Sequence, residues 1–590
     1  METERLTMEV DIVCVGFGPA TGGFLTTLSR GLPFEDGTLP QVVCYERADG
    51  IGFGVSGVVT RARGIRSTFP DLNPADIPMA APVREERVYY LLDPVGASRR
   101  SIALRTFDAL LQTSGLAAQH AFKLPYVPAF LEKHGGLILS IGQFNQWVGQ
   151  QIMMSGAAQL WPGTPVDAPV IENGRVVGVR LVDQGVDAKG KPGEAYQPGM
   201  EVRAALTVVG DGPVGPVGRQ LDEAFGMPEG HEKREWAVGM KMVVDLPGSC
   251  SLEPGTVFHT FGYPEPEIFG FFYVHPDRVA SVGIFVPSWF ENPVRTSYRY
   301  LQHYIQHPLL WRHLSGGRLR SWGAKTLNES GRRGEPHLVG DGYARIGEGS
   351  GSTNVLSGSG VDEAWTTGTL LGESVLELLR EKQPFTRENL ERTYVRRRRE
   401  SWLDKEAKAA EKARDGFHHG IVAGMLGMAL AGFSGGKLHI PGAPHARLPS
   451  VEDFFSPTLI AAEVGLIRKE AAAAGQPLHD FLMDRAGWPP IPYDGQLLVT
   501  HQDALLMGGK VQAPPGFADH VRIKDQGVCG SCGGHTCVEI CSAQALMPGE
   551  SAAPAFDREK CIHCGACFWN CEHNNLVFAA GAGGLHSAEN

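Results

Sequence analysis

The stretch Val10 to Gly23 (VDIVCVGFGPATGG) starts as an apolar run ending at Val15 and turns on glycines, and Phe24 to Leu28 then opens a helical pattern. Strand, tight turn and helix in that order are the setting in which glycines cradle a dinucleotide. The backbone must approach a pyrophosphate closely, and the helix N-terminus supplies unpaired N–H groups. The contacts fall on Gly16, Gly18, Pro19 and Ala20. A second apolar run, Gln41 to Tyr45 (QVVCY), ends at Glu46-Arg47, with Glu46 placed to accept hydrogen bonds from an adenosine ribose. The fingerprint is imperfect: Thr21 takes the third glycine position, Gly22 comes one residue late, and Gly31 to Pro40 reads as an inserted loop. A glycine turn with no ligand is the alternative; the strand before the turn and the acid after it weigh against it.

Two later segments repeat the pattern. Val202 to Val209 (VRAALTVV) runs into Gly210-Asp211-Gly212, and Tyr343 to Ile346 (YARI) runs into Gly347-Glu348-Gly349. Asn354 to Gly360, with Gly358 and Gly360, then leads to a helical stretch from Val361 to Leu379. Three glycine turns, each after a strand, are what a large FAD site of the glutathione-reductase type requires. Asp211 and Glu348 are placed to hold the ribityl chain, and the helix starting near Gly360 aims its positive end at the flavin pyrimidine. Alternating segments such as Phe269 to Val274 and Val279 to Val286 predict an antiparallel sheet covering the flavin.

The other end of the chain reads differently. Of eleven cysteines in 590 residues, Cys14, Cys44 and Cys250 are scattered, and the other eight lie beyond position 528. They are spaced Cys529-x2-Cys532-x4-Cys537-x3-Cys541 and Cys561-x2-Cys564-x2-Cys567-x3-Cys571. The second run wraps three thiolates around one four-iron cube and sends the fourth to another. With pseudo-twofold exchange, Cys561, Cys564 and Cys567 take Cys541, while Cys529, Cys532 and Cys537 take Cys571, giving two [4Fe–4S] clusters. Zinc is the alternative, and the gap of four residues between Cys532 and Cys537 makes the second quartet less regular.

Composition excludes more than it selects. With 43% hydrophobic and 20% charged residues the chain is an ordinary globular one, and 54 basic against 65 acidic residues, a net −11, speaks against nucleic acid as a partner. No secretory signal is visible at Met1 to Val10, which predicts a reducing, cytoplasmic setting where clustered cysteines bind metal rather than pair. Between the charged stretch Tyr394 to Arg414 and the cysteine tail, residues 416–433 carry no formal charge but are short for a bilayer span of about 20 residues. They fit a buried core helix or an interfacial helix flanked by Arg and Lys facing lipid headgroups. His418 and His419 at its mouth read as interfacial residues, a proton-donating role being the alternative.

Taken together, these pieces resemble the electron-transfer flavoprotein:quinone oxidoreductase family. The likeness runs through Asp11 to Ala20, Gly52 to Gly57 (GFGVSG), His134 to Val148 (HGGLILSIGQFNQWV), Gln197 to Glu201, Asp211 with Arg219-Gln220-Leu221, Ala324 to Asn328 and Tyr493 to Leu497. It implies that Gly57 and Gln143 join the FAD contacts and that Cys541, Cys561, Cys564 and Cys567 hold the family's cluster. It also implies that electrons pass from electron-transfer flavoprotein to a quinone at the membrane surface, without a transmembrane span. The second quartet is closer to the separate ferredoxin-like partner subunit of some bacteria, so the chain reads as a fusion.

The expected architecture is a mixed α/β and α+β chain. A discontinuous FAD-binding domain of the glutathione-reductase type covers 1–230 and 325–385, and an antiparallel-sheet quinone domain covers 231–324. A helical segment, 386–510, contains the membrane-facing stretch 416–433, and a ferredoxin-like domain covers 511–590. The expected place is the cytoplasmic face of the cell membrane, held peripherally. Two rival functions share the same features: a geranylgeranyl-reductase-like enzyme using FAD and ferredoxin-type electrons, and an electron-carrying subunit of a larger membrane complex.

Overall fold

Short β-branched runs become parallel strands when helices cover both faces of the sheet. In the computed structural model Thr7–Val15, Val42–Tyr45, Gln159–Trp161, Glu201–Val209 and Tyr343–Arg345 form such a sheet. The register sets Cys14 beside Cys44, Val15 beside Val209, and Val209 beside Arg345. Gly16, Glu46, Gly210 and Gly347 consequently emerge at one carboxyl edge, where open α/β sheets bind ligands. The structure describes all residues except 1–3, 34–36, 38, 55–56, 234, 294, 444–448, 456–458, 508–513, 582–588 and 590. Parts of the Gly31–Pro40 insertion, Val55-Ser56 of the GFGVSG segment and the expected 510/511 boundary lie outside the described residues.

Two helices cross on one face of this sheet, Pro19–Gly31 and Val361–Arg380. A Cβ at Gly368 would stand 1.8 Å from the Ala20 carbonyl oxygen, and one at Gly23 would stand 2.5 Å from that of Trp365. Those glycines permit the contact. The late glycines of the fingerprint therefore serve helix packing, and Thr21 bonds its hydroxyl to the Gly16 carbonyl at 2.7 Å.

A seven-stranded sheet lies alongside, in the order Arg318–Asn328, Trp236–Asp245, Val279–Pro287, Phe269–Val274, Thr256–Phe261, Glu85–Leu91, Ala121–Lys123. It is antiparallel except between Thr256–Phe261 and Glu85–Leu91. One face buries Val238, Met240, Met242, Val282, Ile284, Trp322 and Ala324 in a core shared with Tyr298, Leu301 and Tyr304. The other face, which carries Lys241 and Lys325 in alternation with that core, turns toward the dinucleotide turns. The cysteine-rich tail packs onto the same assembly through two small two-stranded sheets, Val521–Ile523 with Leu576–Phe578 and Leu546–Met547 with Ala555–Phe556.

Three arginines of the charged stretch Tyr394 to Arg414 are held by carboxylates of the chain itself. Arg397 pairs with Glu377, Arg398 and Arg399 with Glu335, and Arg399 also with Asp404. Arg398 is 4% exposed. The buried Glu335 and Asp404 and the half-buried Glu377, all from other elements, claim these three guanidinium groups.

Candidate functional site

Glycine at position 16 is required by geometry: its φ is +82°, and a Cβ would stand 2.9 Å from the Gly210 carbonyl oxygen. Gly18 then precedes the helix Pro19–Gly31 as an N-cap with no side-chain bond, and nothing lies within 4 Å of where its Cβ would stand. The helix N-terminus thus opens onto free space beside Gly18, which suits a pyrophosphate. Glu46 accepts from Phe17 N–H at 2.8 Å and Ala48 N–H at 2.9 Å, holding its carboxylate beside the turn. Gly212 and Gly358 likewise have nothing within 4 Å of a built Cβ. These residues fit FAD.

The remaining contacts read from sequence are dispersed around that turn. The Asp211 carboxylate accepts from Gly218 N–H at 3.0 Å, and burial raises its pKa. Glu348 accepts from Asn328 N–H at 2.7 Å and is pushed up to about 7 by burial. The second and third turns meet where a Cβ on Gly349 would stand 2.9 Å from the Gly212 carbonyl oxygen. Gly360 caps the helix Val361–Arg380 without a side-chain bond. Gln143 lies in the first turn of Ile141–Ser155, its N–H 3.5 Å from Ser140 Oγ. Gly57 opens the strand Gly57–Thr60, and the Arg47 guanidinium lies 2.5 Å from His563 Nδ1.

All eight tail cysteines are free thiols gathered in two groups. Cys529, Cys532, Cys537 and Cys571 line one cavity, together with His535, Asn575 and Leu576. Its sulfurs accept donors from the chain: Asn575 N–H reaches Cys571 Sγ at 3.2 Å and Asn575 Nδ2 reaches Cys529 Sγ at 3.3 Å. The wide Cys532-to-Cys537 gap is taken up by a turn in which His535 has φ +43° and places Nε2 3.1 Å from the Cys529 carbonyl oxygen.

The second group, Cys541, Cys561, Cys564 and Cys567, stands deeper. Cys541 Sγ accepts from Ala545 N–H at 3.1 Å and Leu546 N–H at 3.3 Å, and His520 Nε2 lies 3.2 Å from Cys561 Sγ. Burial pushes the Cys564 thiol up to about 11 and raises that of Cys541. Thiolates there need a compensating positive charge, which bound metal supplies. The quartets fit iron–sulfur clusters.

Contacts tie the deeper quartet to both sheets. Thr326 N–H donates to the Cys564 carbonyl at 2.9 Å, a Cβ on Gly565 would stand 2.5 Å from Val214 after the second glycine turn, and His563 Nδ1 is 2.5 Å from Arg47. Burial lowers Lys325, between Arg47, Glu348 and Cys564, to about 8.

The uncharged stretch forms a turn, Asp415–His419, and a helix, Ile421–Ser434. Its inner face, Ile421, Met428 and Ala431, packs with Trp289 and Phe417, while Val422, Leu426 and Phe433 are exposed, Phe433 by 93%. Among the described residues no helix is long and apolar enough to cross a membrane. His418 Nε2 lies 3.4 Å from Glu235, and His419 Nε2 2.9 Å from the Pro441 carbonyl. Sequence reading missed the helix Ile102–Thr113, which exposes Ile102, Phe107 and Leu110 while Leu104 packs against the same cluster as Met428. Its exposed apolar residues at i, i+5 and i+8 were the available signal.

Residues 236–327 match the family model described as ETF-QO, ubiquinone-binding, and residues 553–576 match a 4Fe-4S binding domain. The electron transfer flavoprotein-ubiquinone oxidoreductase of Pseudomonas aeruginosa is 29% identical over 64% of this chain and 65% of its own. The mitochondrial protein of that name from Mus musculus is 28% identical over 72% of this chain and 66% of its own. The chain thus spans just under two thirds of the length of these relatives. A geranylgeranyl bacteriochlorophyll reductase-like protein of Thermoplasma acidophilum superposes with a TM-score of 0.48 at 15% identity, over 81% of this chain and 100% of that one. Within the mixed α/β fold one sheet thus matches a ubiquinone-binding model and the tail a 4Fe–4S one, and the chain is similar to the electron transfer flavoprotein-ubiquinone oxidoreductases.

Proposed function

We propose that this chain is an oxidoreductase that passes electrons from reduced electron-transfer flavoprotein, through two [4Fe–4S] clusters and FAD, to a membrane quinone. The observation that carries this reading is the seat of Cys541, Cys561, Cys564 and Cys567. Through Thr326 they touch the sheet matched to ubiquinone binding, and through Val214 and Arg47 they touch the dinucleotide turns. Electrons reaching that seat have only a short distance to the flavin. FAD, when bound, accepts electrons singly and releases them in pairs.

The two quartets differ in depth, which orders the route. Cys529, Cys532 and Cys571 are partly exposed, whereas Cys561, Cys564 and Cys567 are buried. A soluble protein donor meets the outer quartet first. The chain's own part is positional: Glu46 and the open turn at Gly18 seat the cofactor, the sheet Trp236–Asn328 walls off water, and backbone N–H groups hold the sulfurs. FAD is assigned to Gly16, Gly18, Pro19, Ala20, Glu46, Arg47, Gly57, Gln143, Asp211, Gly212, Glu348, Gly358 and Gly360. On this reading 1–230 with 325–385, 231–324, 386–510 and 511–590 serve as flavin, quinone, membrane-facing and cluster modules.

The membrane surface is the exposed apolar face built from Ile421–Ser434 and Ile102–Thr113. Leu104 of the second helix and Phe130 both pack against the cluster that holds Met428 and Ala431 of the first, and the Phe130 ring would lie 2.4 Å from a Cβ on Gly432. Apolar residues exposed on two helices, with no spanning helix among the described residues, suit monotopic insertion from the cytoplasmic side. Purified protein mixed with reduced electron-transfer flavoprotein and a short-chain quinone tests the reading. Oxidation of the flavoprotein that depends on quinone is expected; oxidation indifferent to quinone, or none, would contradict it.

A further inference from the structure

Lys241 sits in the middle of the strand Trp236–Asp245, directly opposite Gly283 and Gly323 on its two neighbours. Neither neighbour has a side chain to pair with an ammonium group. The residue is 3% exposed, and its Nζ has no hydrogen-bond partner among the described residues. An unpaired buried ammonium costs several kcal/mol, and burial accordingly pushes Lys241 down to about 7; a bound molecule that supplies the missing partner holds it charged. Among the described charges Glu589 is the one felt at Nζ, and its carboxylate is already engaged by Arg320 at 3.2 Å.

The direction in which Lys241 points is given by Gly57. A Cβ built there would stand 3.3 Å from Lys241 Nζ and 3.1 Å from Ser281 Oγ, so both polar atoms reach the same spot beneath the segment that follows the ribose acid. Ser281 is itself oriented. His275 Nδ1 lies 2.7 Å from the Met79 carbonyl oxygen, which can only accept, so that nitrogen carries the hydrogen. Nε2, 2.9 Å from Ser281 Oγ, must then accept the hydroxyl hydrogen. Burial keeps this imidazole neutral, pushing it down to about 4. The Ser281 lone pairs are thereby left facing the lysine side of the site.

We propose that Lys241, held by the Ser281–His275 pair, is a flavin contact that sets a positive charge against a carbonyl oxygen of the bound ring and so favours its reduced state. This rests on the reading of FAD at the Gly16–Gly18 and Gly57 segments. Ser281 and His275 act as positioning residues. The lysine lies within the sheet matched to ubiquinone binding, at the wall that sheet shares with the flavin segment.

The test is a spectroelectrochemical titration of the full chain with its bound flavin, comparing wild type, Lys241→Met, Lys241→Arg and Ser281→Ala. Flavin content per chain is read from the absorbance of the same samples. Lys241→Met is expected to keep its flavin and to shift the two-electron equilibrium at least tenfold toward the oxidised form, a potential about 30 mV more negative. Lys241→Arg is expected to restore most of the shift, and Ser281→Ala to give a smaller shift in the same direction. An unchanged potential in flavin-loaded Lys241→Met overturns the proposal, as does an unchanged potential accompanied by a raised KM for quinone. If Lys241→Met does not fold, an unshifted Ser281→Ala overturns it instead. A wild-type chain without flavin would sink the FAD reading itself, an outcome distinct from an unshifted variant.

Discussion

The Arg47 guanidinium lies 2.5 Å from His563 Nδ1, joining the residue after the ribose acid to the loop between two cysteines of the deeper quartet. His563 in turn stacks on His520 at 3.9 Å between ring centres, and His520 Nε2 is 3.2 Å from Cys561 Sγ. With Cys561 held as a cluster thiolate its sulfur only accepts, so the imidazole donates. Hydrogen bonds to cluster sulfurs stabilise the reduced, more negative state. Replacing His520 by Leu is expected to lower the potential of the cluster at Cys541, Cys561, Cys564 and Cys567 and leave the other where it was. An EPR-monitored redox titration of both signals reads the difference.

Glu46 binds two backbone N–H groups and faces the first turn. Glu46→Ala removes charged hydrogen bonds worth about 1.5–3 kcal/mol. FAD affinity is expected to fall roughly tenfold to a hundredfold, measured by flavin fluorescence on reconstituting the apoprotein, with the iron content unchanged.

Asp404 gathers Arg332, Arg399 and Lys408. Burial raises its pKa, but these partners outweigh it and hold the carboxyl below the ordinary aspartate range. A depressed folded-state pKa contributes stability that is fully present above the unfolded value of about 3.9 and is lost as pH falls through the folded value. Asp404→Asn is expected to destabilise the chain by about 1.5–3 kcal/mol at pH 7, since it removes charge-assisted bonds from the buried carboxylate to Arg332 and Arg399, which keep Glu411 and Glu335 as partners. The gap between the urea midpoints of variant and wild type should stay constant down to about pH 4 and close only below it.

Phe433 and Leu110 expose apolar side chains on the two helices that border the cluster around Met428. Burying such a side chain in a bilayer interface is worth about 1.5–3 kcal/mol, so Phe433→Glu and Leu110→Glu should each weaken binding to vesicles at least tenfold. Co-flotation with liposomes measures it, and oxidation of reduced electron-transfer flavoprotein with a water-soluble quinone should be spared.

The strands, glycine turns and cysteine spacings were legible because each is a local pattern. Val10–Gly18 predicts its own strand and turn, and Cys561-x2-Cys564-x2-Cys567 is a chelate written into one loop. What escaped sequence reading depends on contacts between distant residues. Arg397 to Arg399 look like solvated surface charges until Glu377, Glu335 and Asp404 are folded against them. Lys241 looks like any alternating strand residue until Gly283 and Gly323 leave it uncovered. Thr21 looks like a defect until its hydroxyl meets Gly16.

The central claim is that one chain holds two clusters and one flavin. Iron, acid-labile sulfide and flavin counts on the anaerobically purified protein, with EPR of the dithionite-reduced sample, test it directly. About eight irons, eight sulfides and one FAD per chain, with a spectrum of two interacting clusters, are expected. About four irons with a single isolated signal would contradict the second quartet's assignment, and a chain purified without FAD would contradict the account as a whole.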